Sequence, residues 1–437
     1  MLRSFAAESR GLQTENCVHP DLILKIFVSL RLLQFAVEHG LAALNRRYYL
    51  RGEHQREAQT LLAISAAEMG KSVAYNDDKY RFGLLSDSFS LLVTLTFLML
   101  GGFGLLERAA SAVGDKIGGG AVGVGVIFFA LLIAGSSLMG LPFDYYRTFV
   151  IEARHGFNRQ TVRGFWLDRL KGMALGAALG LPLLALILWL MVAAGPFWWV
   201  YGWVAMSGFS VLTAWLYPTF LAPLFNKFSP VEDQSLLTQI HALATRVGFQ
   251  AAGISVMDAS QRSSHGNAYF TGVFGKKRIV LFDTLVQALG AAEVVAVLAH
   301  ELGHFKLHHV RWGLARGILM TGVTFFLLSL CLPLVDVYLA FSLSSPSPYG
   351  ALVVFGMWFG LLSFYLQPLS NWLAQRHEFA ADQFAVQHLG DPTQLATALL
   401  KLRETSAGMP ISHRLYSTVY HSHPSLLTRL VALGYRA

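Results

Sequence analysis

The residues with the clearest chemical potential lie in one short segment, His300-Glu301-Leu302-Gly303-His304. Side chains four residues apart on a helix project from the same face, so His300 and His304 can bind one zinc ion together. Glu301 directly follows the first histidine and can reach a water at the metal without binding the metal itself. Zinc lowers the pKa of such a water from about 15.7 to about 7, which makes it a nucleophile at neutral pH. The spacing therefore predicts a hydrolytic site with one zinc ion per chain.

A catalytic zinc site needs a third protein ligand and an open position for water. Glu378 and Asp382 lie four residues apart in a second segment with helical spacing. Glu378 could bind the zinc, and Asp382 could accept the N–H of a zinc-bound histidine and so fix its tautomer. Taken alone, the segment is better interpreted as a solvated amphipathic helix in which Glu378 pairs with Arg376 or another neighbour.

Two further histidines follow the pair, His308 and His309. If the helix continues, His308 partly shares the face of His304, whereas His309 points nearly opposite to His300. We interpret both as residues that lie at an interface or support the ligands, and not as ligands themselves.

The composition is that of a membrane protein. Of the 437 residues, 54% are hydrophobic and only 14% are charged, and the mean hydropathy is +0.48. A soluble globular protein carries nearer a quarter charged residues. Apolar stretches long enough to cross a bilayer predict a polytopic all-helical protein. The seven candidate spans are 22–43, 84–106, 121–143, 173–195, 198–224, 313–340 and 350–371.

The first of these spans is the most polar. Lys25, Arg31 and Glu38 interrupt it, and the last two lie seven residues apart, on one helix face. Ionisable groups inside a span usually face a protein interior or a water-filled cavity. A helix lying on the membrane surface is the alternative interpretation.

Basic residues alternate between the loops. The loops at 44–83 and 144–172 carry seven and six Lys or Arg, whereas 196–197 and 341–349 carry none. This alternation is the positive-inside pattern, and it also explains the net charge of +8 without a nucleic-acid partner. We therefore expect the C-terminal tail and the segment 225–312 in the cytoplasm, and the N-terminus outside.

The predicted topology brings the two ligand segments together. The chain crosses the membrane twice between His304 and Glu378 and so returns to the side from which it started. Both residues lie less than ten positions from a span end, which corresponds to about 10–14 Å if the helices continue. The zinc site is therefore expected at the cytoplasmic membrane face.

The polar segment 225–312 predicts a small mixed α/β unit. A helix is expected at SLLTQIHALATRVGF, followed by short strands at ISVMDAS, NAYFTGVF and RIVLFD and then by the helix of the histidine pair. A turn is expected at Gly275-Lys276-Lys277. The resulting division is an N-terminal membrane region with five spans (1–224), a soluble α/β portion with the helix of the histidine pair (225–312), the sixth and seventh spans (313–371) and a C-terminal portion with the candidate third zinc ligand (372–437).

Taken together, these segments resemble the type I CAAX prenyl proteases, which are integral-membrane zinc endopeptidases of the gluzincin type. The matching segments are LPFDYYRTFVIEARHGFNRQT, QRSSHGNAYFTGVFGKKRIVLFDTL, VLAHELGHFKLHH, QRHEFAADQFA and HSHPSLLTRL, in this order along nearly the whole chain. The resemblance implies about seven transmembrane helices that enclose a water-filled chamber, with a small α/β protease domain on the cytoplasmic side.

The resemblance also implies roles for individual residues. His300, His304 and Glu378 correspond to the zinc ligands, and Glu301 corresponds to the general base. The strand that contains Asn267, Ala268 and Tyr269 corresponds to the edge that holds the peptide as an added strand. His423 and Arg429 correspond to the pair that stabilises the tetrahedral intermediate. The resemblance assigns no role to the HGFN sequence at 155–158.

The sequence therefore predicts a zinc-dependent membrane endopeptidase of the CAAX prenyl protease type. Its expected partners are the lipid bilayer and a peptide or protein substrate that is prenylated or membrane-associated, and we expect a monomer. A heat-shock-type membrane quality-control metalloprotease (HtpX-like) is the first alternative, although seven spans and the HSHP segment disfavour it. A transporter or scaffold that has lost catalysis is the second alternative, and the intact Glu301 disfavours that.

Overall fold

The computed structural model describes residues 19–116, 118–271 and 277–435, which are mostly helical. The helices are α1 Pro20–Leu50, α2 Gly52–Leu62, α3 Ala66–Met99, α4 Gly102–Gly114, α5 Gly120–Tyr146, α6 Val162–Ala193, α7 Trp198–Leu216, α8 Gln234–Arg246, α9 Asp283–Ala288, α10 Ala291–Lys306, α11 His309–Cys331, α12 Val335–Ala340, α13 Pro348–Leu389, α14 Thr393–Ser406, α15 Arg414–Tyr420 and α16 Leu426–Ala432. The strands are β1 Phe228–Pro230, β2 Ala251–Met257, β3 Ala268–Thr271 and β4 Lys277–Phe282.

Within the described ranges, six helices are long and apolar enough to cross a membrane. They are Ala66–Met99, Gly120–Glu152, Val162–Ala193, Gly195–Leu224, His309–Cys331 and Pro348–Leu389. The second of them continues α5 through a π-helical stretch, Arg147–Glu152. These helices confirm the polytopic helical architecture that the composition predicts.

The first expected span forms α1, a helix of 31 residues, but it is not one of these six. Arg31 and Glu38 do share one face of α1, and their side chains approach to 3.7 Å. Gln34 lies between them, is buried, and donates a hydrogen bond of 2.8 Å to Glu38. That α1 crosses the membrane stays a prediction.

Two of the expected spans are interrupted. The expected span 84–106 is wrong at its end, because α3 stops at Met99 and Gly101 adopts the left-handed backbone conformation, with φ of 66°. The expected span 313–340 is broken after Cys331, where Pro333 lacks the N–H that would continue the helix. In both places a short helix follows the turn, and α4 and α12 are these short helices.

Aromatic side chains connect the helices at one end of the bundle. Phe27 of α1 contacts Phe341 and Trp358 edge to face, with ring centroids 5.2 and 5.3 Å apart. Phe103 of α4 packs on Phe128 of α5 in the same buried cluster. This apolar packing holds α1, α4, α5 and α13 in a fixed arrangement.

The sheet lies next to the bundle and has the strand order β1-β2-β4-β3. β2 and β4 are parallel, whereas β1 pairs antiparallel with β2 and β3 pairs antiparallel with β4. The three expected strands are therefore confirmed, and β1 is an additional strand. The expected turn at 275–277 lies largely outside the described residues. β3 is an edge strand, as the resemblance implies.

The helix α10 forms the centre of the α/β unit that contains the sheet. Residues 294–300 are all buried, and Leu298 and Leu302 pack in one cluster with Ile279 and Leu281 of β4. Glu293 accepts a hydrogen bond of 2.8 Å from the backbone N–H of Gly290. It also forms an ion pair of 2.7 Å with Lys401 of α14. The start of α10 is therefore fixed by its cap and by a neighbouring helix.

Candidate active site

The structure brings His300, His304 and Glu378 together, although two of them lie on α10 and the third on α13. The Nε2 atoms of the two histidines are 3.3 Å apart. Glu378 Oε1 lies 3.1 Å from His304 Nε2, and Glu378 Oε2 lies 3.5 Å from His300 Nε2. One donor atom from each residue lies within 4.8 Å of the others, an arrangement that can hold one metal ion.

The chemistry of these donors fits a zinc ion. Two imidazole nitrogens and one carboxylate, with a position left for water, form a common catalytic zinc set. Glu378 is only 5% exposed, and its Oε2 accepts no hydrogen bond within the part of the chain that the structure describes. A buried carboxylate oxygen that accepts no hydrogen bond is costly, and a bound cation would satisfy it.

The close crossing of α10 and α13 depends on a glycine. A Cβ atom on Gly303 would lie 3.0 Å from the Cα of Ala381 and 3.2 Å from the Cβ of Phe384. Ala381 is completely buried at this crossing. The small side chains at both positions therefore set the distance at which Glu378 meets the two histidines.

Asp382 holds His300 in the orientation that a ligand needs. The Nδ1 of His300 lies 2.8 Å from Asp382 Oδ1, so Nδ1–H can donate to the carboxylate while Nε2 faces Glu378. Arg429 of α16 then donates two hydrogen bonds to the same carboxylate, of 2.6 and 2.9 Å. All three side chains are buried. The sequence-based expectation that Asp382 lies behind a histidine agrees with this geometry.

Arg429 therefore contacts the site mainly through Asp382. Two of its nitrogens, Nε and Nη2, bind that carboxylate, and the third, Nη1, lies 3.6 Å from Glu378 Oε2. The guanidinium thus lies beside Asp382 and Glu378, where its charge offsets two buried carboxylates.

His423 approaches the ligands from the loop before α16. Its Nε2 lies 3.4 Å from Glu378 Oε1, and its side chain is 66% exposed. The Oγ of Ser422 contacts the other ring nitrogen, Nδ1, at 2.9 Å. His423 is consequently the solvent-facing imidazole at the centre, whereas Arg429 is the buried cation.

Two amide side chains of α13 hold the segment that leads to His423. Asn371 donates to the backbone carbonyl of Val419 at 2.6 Å, and Gln375 donates to the carbonyls of Ser417 and His421 at 3.1 and 2.8 Å. Sequence reasoning missed both amides. Their spacing of four residues on the helix of Glu378 was the available signal.

Glu301 lies on α10 beside the three donor residues. Burial raises the pKa of its carboxyl above the ordinary value, although the neighbouring His300 and His304 oppose this shift. A carboxyl with a raised pKa is better suited to accept and then return a proton near neutral pH than an ordinary glutamate.

The expected direction of His309 is wrong because α10 does not continue. The helix ends at Lys306, and His308 adopts φ of 61°, so α11 starts in a new direction. This turn places His309 Nδ1 at 3.1 Å from His304 Nδ1. The ring of His309 also stacks on His377 with centroids 4.0 Å apart. His309 thus contacts the candidate ligand His304, while His308 is exposed at the turn.

The expected substrate strand lies next to α10. Ala268 is buried in the same cluster as Leu298 and Leu302 of that helix. Asn267 is exposed at the start of β3, and its Oδ1 accepts the N–H of Ala268 at 2.8 Å. Tyr269 packs on the other face of the sheet, where its hydroxyl lies 3.9 Å from Met257 Sδ. The edge of β3 and the side chain of Asn267 are therefore accessible, whereas the ring of Tyr269 is directed away from α10.

The HGFN sequence, which had no expected role, contacts the segment that precedes β3. Asn158 forms an isolated antiparallel bridge with Ser263. The ring of Phe157 lies 5.3 Å from the ring of His265. His155 anchors the loop to α3 through a contact of 2.8 Å with Asp78. The loop thus connects α3 of the membrane bundle to the residues that directly precede the edge strand β3.

Comparisons with known proteins cover nearly the whole chain. The family model of the CAAX prenyl protease N-terminal region, with five membrane helices, matches residues 48–227. The model of peptidase family M48 matches residues 230–437.

Similar proteins include CAAX prenyl protease 1 homologues. That of Arabidopsis thaliana is 36% identical over 85% of this chain and 88% of its own length. That of Homo sapiens is 32% identical over 94% of this chain and 95% of its own length. The crystal structure of S. mikatae Ste24p matches with a TM-score of 0.87 and 31% identity, over 96% of this chain and 100% of that chain. On this evidence the chain belongs to the CAAX prenyl protease family within peptidase family M48, and it is an integral-membrane metalloendopeptidase.

Proposed function

We propose that this protein is a zinc-dependent endopeptidase that cleaves prenylated CAAX-type peptides and holds one zinc ion per chain. The observation that carries the proposal is the meeting of His300, His304 and Glu378 around a buried carboxylate oxygen that lacks a hydrogen-bond partner. The names of the relatives favour CAAX substrates over the general membrane quality control of the heat-shock-type alternative.

The three donor residues would hold the zinc ion. His300 would bind through Nε2, because Asp382 occupies its Nδ1. When bound, the ion would polarise the scissile carbonyl and lower the pKa of water at the site to about 7.

Glu301 moves the protons of the reaction. Its carboxylate accepts a proton from the attacking water and later delivers it to the nitrogen of the leaving amine. The raised pKa of Glu301 supports both steps, because the same group must act first as a base and then as an acid.

The peptide binds along the free edge of β3. An added strand would exchange backbone hydrogen bonds with this edge, which carries no further strand in the described residues. The exposed amide of Asn267 would contact the peptide backbone. Ala268 and Tyr269 contribute through their main-chain groups, since their side chains pack into the two faces of the sheet.

His423 and Arg429 stabilise the negative charge that develops on the scissile carbonyl oxygen. His423 would do so by donating from the Nε2 side of its exposed ring, which already lies beside Glu378. Arg429 would act at longer range through its charge and through Asp382. Groups of this kind lower the barrier because they interact most strongly with the transition state.

Four segments share this work. Residues 225–312 and 372–437 supply the catalytic groups, while 1–224 and 313–371 supply the membrane region. We further propose that the centre faces the cytoplasm, with the N-terminus outside and the C-terminus inside. Two observations support this orientation: the loops at 44–83 and 144–172 are rich in Lys and Arg, and Asn158 of the second loop pairs with Ser263 next to β3. We propose that the active unit is a monomer, since every catalytic group belongs to one chain.

The test is metal analysis of the purified protein combined with cleavage of matched farnesylated and unfarnesylated CAAX peptides. We expect one zinc per chain and a preference for the farnesylated peptide. The variant Glu301→Gln should lose cleavage, whereas Glu232→Gln, an exposed glutamate on a loop, is the matched control. Absence of zinc would overturn the proposed metal. Equal cleavage of both peptides would overturn the proposed substrate class, and a protein that binds zinc without cleaving either peptide would support the scaffold alternative.

A further inference from the structure

A large cavity lies between α5 and α6, and both of these helices are apolar enough to span the membrane. Its volume is about 1290 Å³. The cavity follows α6 from Asp168 to Leu184, which corresponds to about 24 Å of helix. That length is most of the hydrocarbon thickness of a bilayer, about 30 Å. We call this cavity the slot.

The deeper part of the slot is apolar and is kept open by small residues. Gly172, Gly176 and Gly180 line it from one face of α6, opposite Ala130 and Ala134 of α5. Small residues in membrane helices usually allow another helix to approach closely. Here a Cβ atom on any of the three glycines would meet nothing within 4 Å. Helix packing therefore does not require these glycines, and their effect is to widen the slot.

The other end of the slot is polar: it contains two ion pairs, and Lys79, Arg147 and Glu152 also line it. Arg262 donates two hydrogen bonds to Asp168, of 2.8 and 3.1 Å, and Arg169 forms an ion pair with Asp144. The deeper wall between residues 172 and 184 carries no charged residue. The slot thus changes from polar to apolar along its length. This gradient suits a molecule that has a polar end and a long apolar chain.

The polar end also connects to the proposed peptide strand. Ser263 and His265 line the slot and precede Asn267 by four and two residues. Even a fully extended chain places Ser263 within about 14 Å of Asn267. Asn158 of the HGFN sequence holds Ser263 at this position through its bridge. A ligand in the slot can therefore be joined covalently to a peptide that lies along β3.

We propose that the slot binds the isoprenoid chain of the substrate while the peptide is held along β3. The proposal rests on the proposed function, because it assumes a prenylated peptide. It assigns the preference for prenylated substrates to the apolar wall of α5 and α6 and gives the HGFN loop the task of positioning the slot's polar end. The alternative occupants of the slot are a lipid acyl chain and water.

The first experiment narrows the slot. Gly176→Leu places a branched side chain in the apolar part, and Gly208→Leu makes the same change on α7, at an exposed glycine that does not line the slot and has nothing within 4 Å of its Cβ. We compare kcat/KM for a farnesylated peptide and for the same peptide with an S-methyl cysteine. Gly176→Leu should lower the ratio of kcat/KM for the farnesylated peptide to kcat/KM for the S-methyl peptide by about 10-fold. A misfit in an apolar pocket has an effect of this scale. Gly208→Leu should leave the ratio unchanged.

The outcomes separate the two proposals. If the wild-type protein cleaves neither peptide, the proposed function fails. If it cleaves both and Gly176→Leu lowers both rates equally, or lowers neither, only the slot proposal is overturned.

A second experiment does not depend on the folding of Gly176→Leu. A peptide whose farnesyl analogue carries a diazirine is photolysed with the full-length Glu301→Gln protein, and the labelled residues are mapped by mass spectrometry. Labels within 129–137 of α5 and 172–184 of α6, competed by unlabelled farnesylated peptide, are expected. Labels elsewhere on the protein or only on lipid would overturn the proposal, and so would labels competed by phospholipid but not by farnesylated peptide.

Discussion

Arg429 donates two hydrogen bonds to Asp382, of 2.6 and 2.9 Å, and thereby fixes from behind the carboxylate that orients His300. The two residues lie 47 positions apart, on different helices, and both are buried. Their contact joins the C-terminal tail to α13, which carries the candidate ligand Glu378.

Removing Arg429 should therefore destabilise the protein and weaken metal binding. Arg429→Ala leaves the Asp382 carboxylate buried without its cation, and breaking such a pair typically costs about 3–5 kcal/mol. The melting temperature and the zinc affinity should both fall, and the double variant Arg429→Ala/Asp382→Asn should recover part of the stability. Arg414→Ala, at an exposed arginine, is the control. An unchanged melting temperature and zinc affinity in Arg429→Ala would contradict this role.

His423→Ala should slow catalysis without lowering the stability or the zinc content, in contrast to Arg429→Ala. Its side chain is 66% exposed, so the folded state loses little when it is removed. Loss of one donor to a developing oxyanion costs about 10²–10³ in kcat, and we expect a reduction of that scale with zinc content and melting temperature preserved. The measurement is kcat and KM on a farnesylated peptide, with His241→Ala on α8 as the control. A normal kcat would exclude His423 from the chemistry.

Glu301→Gln should abolish cleavage without loss of zinc. The side chain lies beside the donor residues but is not one of them, and removing a general acid or base costs about 10²–10⁴ in rate. Metal analysis and single-turnover cleavage of the same preparation check both parts. A variant that cleaves at the wild-type rate, with contaminating protease excluded, would mean that another group moves the protons.

Glu378→Ala should lose zinc as well as activity. The substitution leaves two ligands on one helix and removes the only donor that α13 supplies to the three-residue cluster. Asp382→Ala should be milder, with a loss of about 10–100-fold, because it removes a group that orients a ligand. The measurement is the zinc content after dialysis against a chelator. Stoichiometric zinc in Glu378→Ala would mean that a different residue is the third ligand.

Gly303→Ala should weaken metal binding through the backbone alone. The added Cβ would lie 3.0 Å from Ala381 Cα, so α10 and α13 must separate by a few tenths of an ångström. The donor atoms of His304 and Glu378 move apart with the helices. Gly313→Ala on α11 is the control, because its Cβ would meet nothing within 4 Å. Zinc affinity is compared by competition with a chelator, and equal affinities would contradict a critical spacing at Gly303.

Local spacing indicated the histidine pair, whereas Glu378 became a candidate ligand only through the predicted topology and the resemblance. His300 and His304 share a helix face, and Glu378 and Asp382 share another, so the periodicity of 3.6 residues already places each pair. The strand around Asn267 was also predicted from the sequence, and the resemblance implied its position at the edge of the sheet. The structure agrees with these placements.

The features that sequence reasoning missed depend on tertiary contacts. No glycine or proline marks the turn at His308, so nothing in the local sequence indicated that His309 would reach His304. β1 has only three residues, which is too short for a recognisable pattern. Asn371 and Gln375 resemble solvated residues of a helix until the C-terminal segment is placed against them.

The two halves of the candidate centre have different mechanical connections to the bilayer. Glu378 lies on a continuous helix of 42 residues that includes a candidate membrane span, whereas the histidines lie on a helix that ends before the turn at His308. Membrane helices tilt to match the hydrocarbon thickness around them. A change in tilt of α13 would therefore act on Glu378 directly and on the two histidines through the helix crossing at Gly303 and Ala381. We expect the geometry of the centre, and with it the turnover rate, to depend on the thickness of the surrounding membrane, which turnover in vesicles of different acyl-chain length would measure.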